Sequence, residues 1–185
     1  MSKQTPRFRR TAVALLTTTL ATPFAAHALE VCPVEPCRVL DTREATDSNV
    51  DHPLAPNETT TIFVANSGPA TLNGQGGEVN CNVPFPQAKG VFVNVIAVQP
   101  TGSFNNHLTL YPAESGEPTA STINYQPGTF ALANGVFVKV CDSASASGSC
   151  LGGDLTITNG PSATTDVVID VTGYVAAVCP MVMSP

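Results

Sequence analysis

The chain alternates short apolar runs with polar turn residues, and no segment has the apolar spacing of an amphipathic helix. The runs are rich in Val, Ile, Thr and Phe, and Gly, Pro, Asn and Ser separate them, as is typical of strands joined by turns. The turn-rich segment "NSGPATLNGQGGEVN" (66–80) is predicted to be an exposed loop or a ragged edge strand. The pattern predicts eight strands, at residues 38–41, 59–65, 91–98, 108–111, 121–125, 131–141, 154–158 and 166–175.

This succession of short strands favours an all-β fold, an antiparallel β-sandwich, with jelly-roll and immunoglobulin-like topologies both open. Two-residue alternation predicts which side of each strand faces the core. In "DVVIDV" (166–171), Val167, Ile169 and Val171 share the core side. In "VFVNVIAV" (91–98) both sides are largely apolar, so we expect a central strand that is covered on both faces.

The first 28 residues have the features of an export signal. Four basic residues precede an uncharged, mostly apolar stretch at 11–24, and "AHA" (26–28) is a small-x-small cleavage site. The apolar stretch is shorter than the roughly 20 residues that a membrane span needs. We therefore predict a signal peptide at 1–28, cleaved near Ala28, and a single domain at 29–185 that is secreted, either periplasmic or extracellular.

Removal of such a signal leaves a strongly acidic protein. All fourteen acidic residues but only four of the eight basic ones lie beyond Ala28, which gives a formal charge of −10. An acidic surface repels phosphate backbones, so we expect no nucleic-acid partner. No later segment is predicted to span a membrane. A surface polymer or another exported protein is the expected kind of partner, and the oligomeric state stays open.

Six cysteines in an exported chain predict three disulfides. A zinc site is disfavoured, because the chain has no C-x-x-C pair. Cys141 and Cys150 bracket the polar loop "DSASASGS" and could staple a hairpin, whereas Cys32 and Cys179 flank the first and last strands and could tie the termini together. Those two pairs leave Cys37 with Cys81. A local Cys32–Cys37 bridge is the main alternative.

The stretch "PCRVLDTRE" (36–44) concentrates charge in an apolar strand. Asp41 and Arg43 are predicted to lie on one face and to form a structural ion pair, with Asp170 or a loop carbonyl as a further partner for Arg43. A catalytic role for Asp41 would require a second acid or base, and the sequence places none beside it.

The acidic loop that follows offers a candidate calcium site, with Asp41, Glu44, Asp47 and Asp51 as oxygen ligands. The loop lacks the spacing of an EF-hand, and a solvated acidic loop is the commoner explanation. Calcium is the one candidate cofactor. No other cofactor and no other metal site are predicted.

Enzymatic motifs are scarce. The chain has no G-x-S-x-G nucleophile elbow, so we predict no catalytic residues and a protein that is not an enzyme. A pair of catalytic carboxylates stays open as an alternative, because their separation is spatial rather than sequential. For carbohydrate binding, Tyr111 and Tyr125 are the candidate contacts, although packing in the core is the commoner role of such side chains.

Seven motifs follow one another in a recognisable order: "CRVLDTR", "CNVP", "KGVFVNVIAVQPTG", "HLTLYPA", "PTASTINYQPG", "ALANGVFVKV" and "TTDVVIDVTGYV". The order resembles a poorly characterised family of secreted bacterial β-rich domains, often appended to exported hydrolases or large surface proteins. The resemblance covers about residues 37–175. It implies a β-sandwich-like extracellular accessory module without established catalytic residues, and it supports the Cys37–Cys81 bridge.

The sequence is therefore compatible with three functions. The first is a secreted, non-catalytic β-sandwich module for cell-surface or extracellular-matrix interaction. The second is a carbohydrate-binding module that uses Tyr111 and Tyr125. The third is an extracellular hydrolase with an unrecognised carboxylate site.

Overall fold

The computed structural model describes residues 28–65, 69–141 and 153–179. The described residues form eight strands and one short helix, and these eight strands all overlap those predicted from the sequence. The strands are β1 (Glu30–Asp41), β2 (Thr59–Ile62), β3 (Gly90–Gly102), β4 (Asn106–Pro112), β5 (Ile123–Tyr125), β6 (Ala131–Lys139), β7 (Leu155–Asn159) and β8 (Ala163–Ala176), and the helix is α1 (Pro69–Gly74).

The strands form two four-stranded sheets. Sheet A has the order β1-β8-β3-β6, and sheet B has the order β2-β7-β4-β5. Every pair of neighbouring strands is antiparallel, and one apolar core draws residues from both sheets. The prediction of an all-β antiparallel sandwich is therefore confirmed. The predicted signal peptide lies outside the described residues, apart from its last position.

Valine and isoleucine side chains from alternate positions fill the core, as period-2 alternation requires. Val167, Ile169 and Val171 of β8 are fully buried, as predicted. Strand β3 is central in sheet A, but only one of its faces is covered. Phe92 and Ile96 on its outer face stay partly exposed, so the expectation of cover on both faces is wrong. Apolar residues on that face pack against their neighbours within the sheet instead.

Two disulfides join β1 to distant parts of the chain. Cys32 is bonded to Cys179, and Cys37 is bonded to Cys81. Both pairings are confirmed, and the alternative Cys32–Cys37 bridge is wrong. Cys141 is also disulfide-bonded. Its predicted partner, Cys150, lies outside the described residues.

The segment predicted to be a loop or an edge strand contains α1 instead. The helix has six residues, fewer than two turns, which is too short for helical periodicity to appear in the sequence. Gln75, directly after it, is buried and connects two backbone segments. Its amide nitrogen donates to the carbonyls of Val39 and Phe63, and its side-chain oxygen accepts from the Phe63 amide at 2.7 Å.

Candidate functional site

Two open sheets have four edge strands, and three of those described here are short or have features that oppose pairing with another strand. β2 has four residues and β5 has three. β1 has twelve residues, but it contains Pro33 and Pro36, two register shifts and two disulfide-bonded cysteines. Prolines, bulges and short length are the features that keep an exposed edge from pairing with another strand.

The fourth edge, β6, lacks these features. Its nine residues, "ALANGVFVK", contain no proline and one charge, Lys139. It pairs with β3 from Ala131 to Lys139 without a register shift. Among the edge strands in the described part of the chain, β6 alone is both long and regular.

The hydrogen-bonding direction of β6 follows from its register. Phe130 accepts from the Gln99 amide, and Val140 donates to the Lys89 carbonyl. Even-numbered residues of β6 therefore direct their backbone groups to β3, because bonded and non-bonded positions alternate in an antiparallel ladder. The odd-numbered residues direct theirs away from β3, and no residue in the described part of the chain bonds to them. These residues are Ala131, Ala133, Gly135, Phe137 and Lys139.

Exposed apolar side chains flank the open edge. Phe130 is 78% exposed, Phe137 is 52% exposed and Leu132 is 40% exposed. The Phe137 ring packs on Phe92 with their centroids 5.0 Å apart. β6 and the residue before it thus supply three of the large apolar side chains that the described surface exposes, which makes this edge both apolar and open.

The short length of β5 explains why the first half of β6 is uncovered. Leu132 and Asn134 have the parity of the core-facing side, since they alternate with buried Val138. β5 provides only three residues opposite them. Asn134 is nevertheless anchored to sheet B, because its side-chain nitrogen donates to the Thr122 carbonyl at 2.8 Å.

The predicted ion pair between Asp41 and Arg43 is confirmed. Arg43 binds Asp41 through Nε at 2.8 Å and through Nη2 at 2.7 Å. Arg38 also contacts Asp41, with 3.1 Å between Nη1 and Oδ2, and its Nε lies 3.0 Å from Asp170 Oδ1. Asp170 therefore pairs with Arg38, not with Arg43 as proposed from the sequence. A register shift between Arg38 and Leu40 places Arg38 on the same side of the sheet as Asp41.

This cluster fixes Asp41 in its ionised form. Burial raises the pKa of Asp41, but hydrogen bonds and charge from Arg43, together with the charge of Arg38, outweigh burial and hold that pKa below its usual value. A carboxylate with two guanidinium partners accepts hydrogen bonds and does not exchange protons near neutral pH. The cluster holds β1 against β8 through ion pairs, and its charged groups are all engaged with one another.

The predicted calcium ligands are not brought together. Asp41 is engaged by the two arginines, Asp47 Oδ1 accepts from Asn49, and Asp51 contacts His52. Glu44 is exposed. In the described parts of the chain, no three His, Cys, Asp or Glu side chains are grouped to hold a metal ion.

Tyr111 and Tyr125, the candidate glycan contacts, are buried. The Tyr125 hydroxyl donates to Asn159 Oδ1 and accepts from Asn106 Nδ2 at 3.0 Å, and burial raises its pKa. Tyr111 bonds to Thr158 at 3.0 Å. A glycan cannot stack on rings that are enclosed in this way, so the prediction that these two tyrosines contact a glycan is wrong.

Asp154 is a buried carboxylate that sequence reasoning did not single out. Its Oδ2 accepts from the backbone amides of Val64 and Ala65, both at 2.8 Å, and its carbonyl accepts from the Cys141 amide at 3.0 Å. Burial raises its pKa, and the two amide hydrogen bonds offset only part of that rise. Asp154 therefore holds the chain after β2 and the end of β6 to the start of β7.

The fold and its open edge define an all-β sandwich domain. Comparison with known protein families, with curated proteins and with solved structures finds no match to this chain. In the described part of the chain, no helix combines the length and the hydropathy of a membrane span.

Proposed function

We propose that the protein is a secreted, non-catalytic β-sandwich module that acts in cell-surface or extracellular-matrix interaction, and that β6 is its contact. The observation that carries the proposal is the open edge of β6, with its outward backbone groups and exposed phenylalanines. An edge of this kind binds an extended polypeptide segment, which adds a strand to the sheet.

The carboxylates support a non-catalytic role. Of the acidic residues that the structure describes, Asp41 and Asp154 are the buried ones. Arginines hold Asp41, and backbone amides hold Asp154. Each has a structural task that accounts for its burial.

The disulfides and the acidic composition support an exported protein partner. Structural disulfides persist in oxidising compartments, and the sequence pI is about 4.8, which disfavours polyanionic partners. The resemblance of the motif order to secreted bacterial accessory domains agrees with this proposal.

A lysine at position 135 tests whether β6 is the contact. No atom lies within 4 Å of a Cβ built at Gly135 or at exposed Gly116, so both sites accept a side chain without a change in fold. Lysine on an edge opposes strand addition, and we expect Gly135→Lys to weaken binding to the cell-surface or matrix fraction by about tenfold or more. Gly116→Lys, the matched control, should bind as the unsubstituted protein does. The measurement is co-sedimentation of each purified protein with that fraction.

Digestion of the fraction separates the three functions. Binding that protease treatment removes supports a protein partner, whereas binding that only glycan digestion removes would favour the carbohydrate-binding alternative. Equal binding by both lysine variants would contradict β6 as the contact. Turnover of a polysaccharide, abolished by one carboxylate substitution, would overturn the non-catalytic assignment.

A further inference from the structure

We propose that the occupant of the β6 edge is β6 of a second copy of this chain, paired antiparallel about a two-fold axis at Gly135. The inference rests on the proposed function in one respect, namely that β6 is a contact. It adds the identity of the partner, which is a further copy of this chain both in solution and on the cell-surface or matrix fraction, together with the register and the symmetry.

The register follows from the position of Gly135. Gly135 is the middle residue of β6, so a two-fold axis there overlaps the whole strand with its copy. Each outward residue then faces an outward residue. Gly135 lies opposite itself, Ala133 lies opposite Phe137 of the second copy, and Ala131 lies opposite Lys139 of the second copy. Directly opposed outward residues in an antiparallel ladder exchange both N–H···O bonds.

A shift of this axis to Asn134 leaves Lys139 without an opposite residue within the strand. The two-fold register at Gly135 thus satisfies more of the outward backbone groups of the edge. Unpaired backbone donors and acceptors are the reason that a free edge recruits another strand.

The side chains are compatible with this register. β6 contains no acidic residue, although the chain as a whole has a formal charge of −6. The single cation, Lys139, faces Ala131 rather than another lysine, so no like charges are opposed. On the outer face Phe137, already packed on Phe92, gains the methyl group of Ala133 from the second copy.

The same geometry limits the assembly to two copies. Pairing at β6 makes one continuous eight-stranded sheet, whose two outer edges are both β1. β1 carries prolines and register shifts, which oppose further strand addition. An interface that uses the same strand on both partners is closed by its own two-fold symmetry.

The test uses charge at position 135. Gly135 faces Gly135 of the second copy, so Gly135→Lys places two cations opposite each other and Gly135→Glu places two anions opposite each other. Like charges directly opposite destabilise a strand pair. We expect a dimer for the unsubstituted protein in sedimentation equilibrium. Each charged variant alone should dissociate at protein concentrations about tenfold higher or more than the unsubstituted protein does.

Mixing the two oppositely charged variants tests whether position 135 faces itself across the interface. An equimolar mixture of Gly135→Lys and Gly135→Glu chains should form heterodimers in native mass spectrometry, since opposite charges then face each other. Gly135→Thr should remain dimeric, because threonine is a favourable strand residue without charge. The matched pair Gly116→Lys and Gly116→Glu should each dimerise as the unsubstituted protein does.

The outcomes separate this inference from the proposed function. A monomeric protein that binds the matrix fraction in a Gly135-dependent way would overturn the second copy as partner and leave the β6 contact standing. A monomer with no such binding would overturn both. A dimer that both charged variants retain would show association through another surface and would also contradict the inference.

Discussion

Removal of the Cys32–Cys179 disulfide should lower the free energy of unfolding by about 5 kcal/mol according to the chain-entropy relation. The bridge spans 147 residues of sequence, so it closes nearly the whole domain into one loop in the unfolded state. Both cysteines are replaced together, as Cys32→Ala with Cys179→Ala, so that no unpaired thiol remains. The measurement is guanidinium unfolding followed by circular dichroism, without reductant.

The second bridge provides the matched comparison. Cys37 and Cys81 are 44 residues apart, and the same relation gives a loss of about 4 kcal/mol for Cys37→Ala with Cys81→Ala. Each double variant should unfold at lower denaturant concentration than the unsubstituted protein. A loss of unfolding free energy below about 1 kcal/mol for the Cys32–Cys179 pair would contradict the prediction that this bridge stabilises the protein by closing a long loop in the unfolded chain.

Replacement of Asp154 by alanine should destabilise the protein by roughly 2–4 kcal/mol, the result expected when buried backbone donors lose their acceptor. Val64 and Ala65 are both buried, and Asp154 Oδ2 accepts from both of their amides. Asp154→Asn is the matched control. Its side-chain oxygen can accept the same two bonds without a charge, so it should retain most of the stability at neutral pH.

The pH dependence of the same pair of proteins is a second readout. Burial raises the pKa of Asp154 in the folded state above its unfolded value near 3.8. The folded state thus holds the proton more tightly, and the contribution of Asp154 to stability is most favourable below the unfolded pKa and is lost as pH rises through the folded pKa. The unsubstituted protein should therefore lose stability relative to Asp154→Asn as pH rises from about 3 to neutral.

The measurement is a series of denaturant unfolding curves for both proteins over that pH range. Comparison with Asp154→Asn removes the effect of other acids, above all Asp41, whose lowered pKa has the opposite sign. A relative stability that rises with pH would contradict the assignment of Asp154 as an acid whose folded pKa is raised.

Much of the fold could be predicted from the sequence because its signals are local. Period-2 alternation located the strands and gave the core side of β8, where Val167, Ile169 and Val171 are buried. The Cys32–Cys179 bridge followed from the position of its cysteines outside the first and last strands. These inferences need only the residues within one element or the order of elements along the chain.

The remaining features depend on contacts distant in sequence. The register shift near Val39, which places Arg38 on the same side of the sheet as Asp41, involves one residue and leaves no compositional signal. Asp154 meets Val64 across 90 positions of sequence. Residues 131–141 were predicted to contain a strand, but its place at an edge follows from strand order alone. Tyr125 lies near a strand end, yet its hydroxyl is enclosed by Asn106 and Asn159.

Hydrogen exchange at single amides of β6 tests the central claim most directly. The amides of Leu132, Asn134 and Val136 point to β3 and should exchange slowly under all conditions. Those of Ala133 and Gly135 point outward, and they should exchange fast in dilute protein and slowly once the edge is occupied, at high concentration or on the matrix fraction. Outward amides that remain fast in the associated state, or that are equally slow in dilute protein, would contradict the assignment of β6 as an open contact edge.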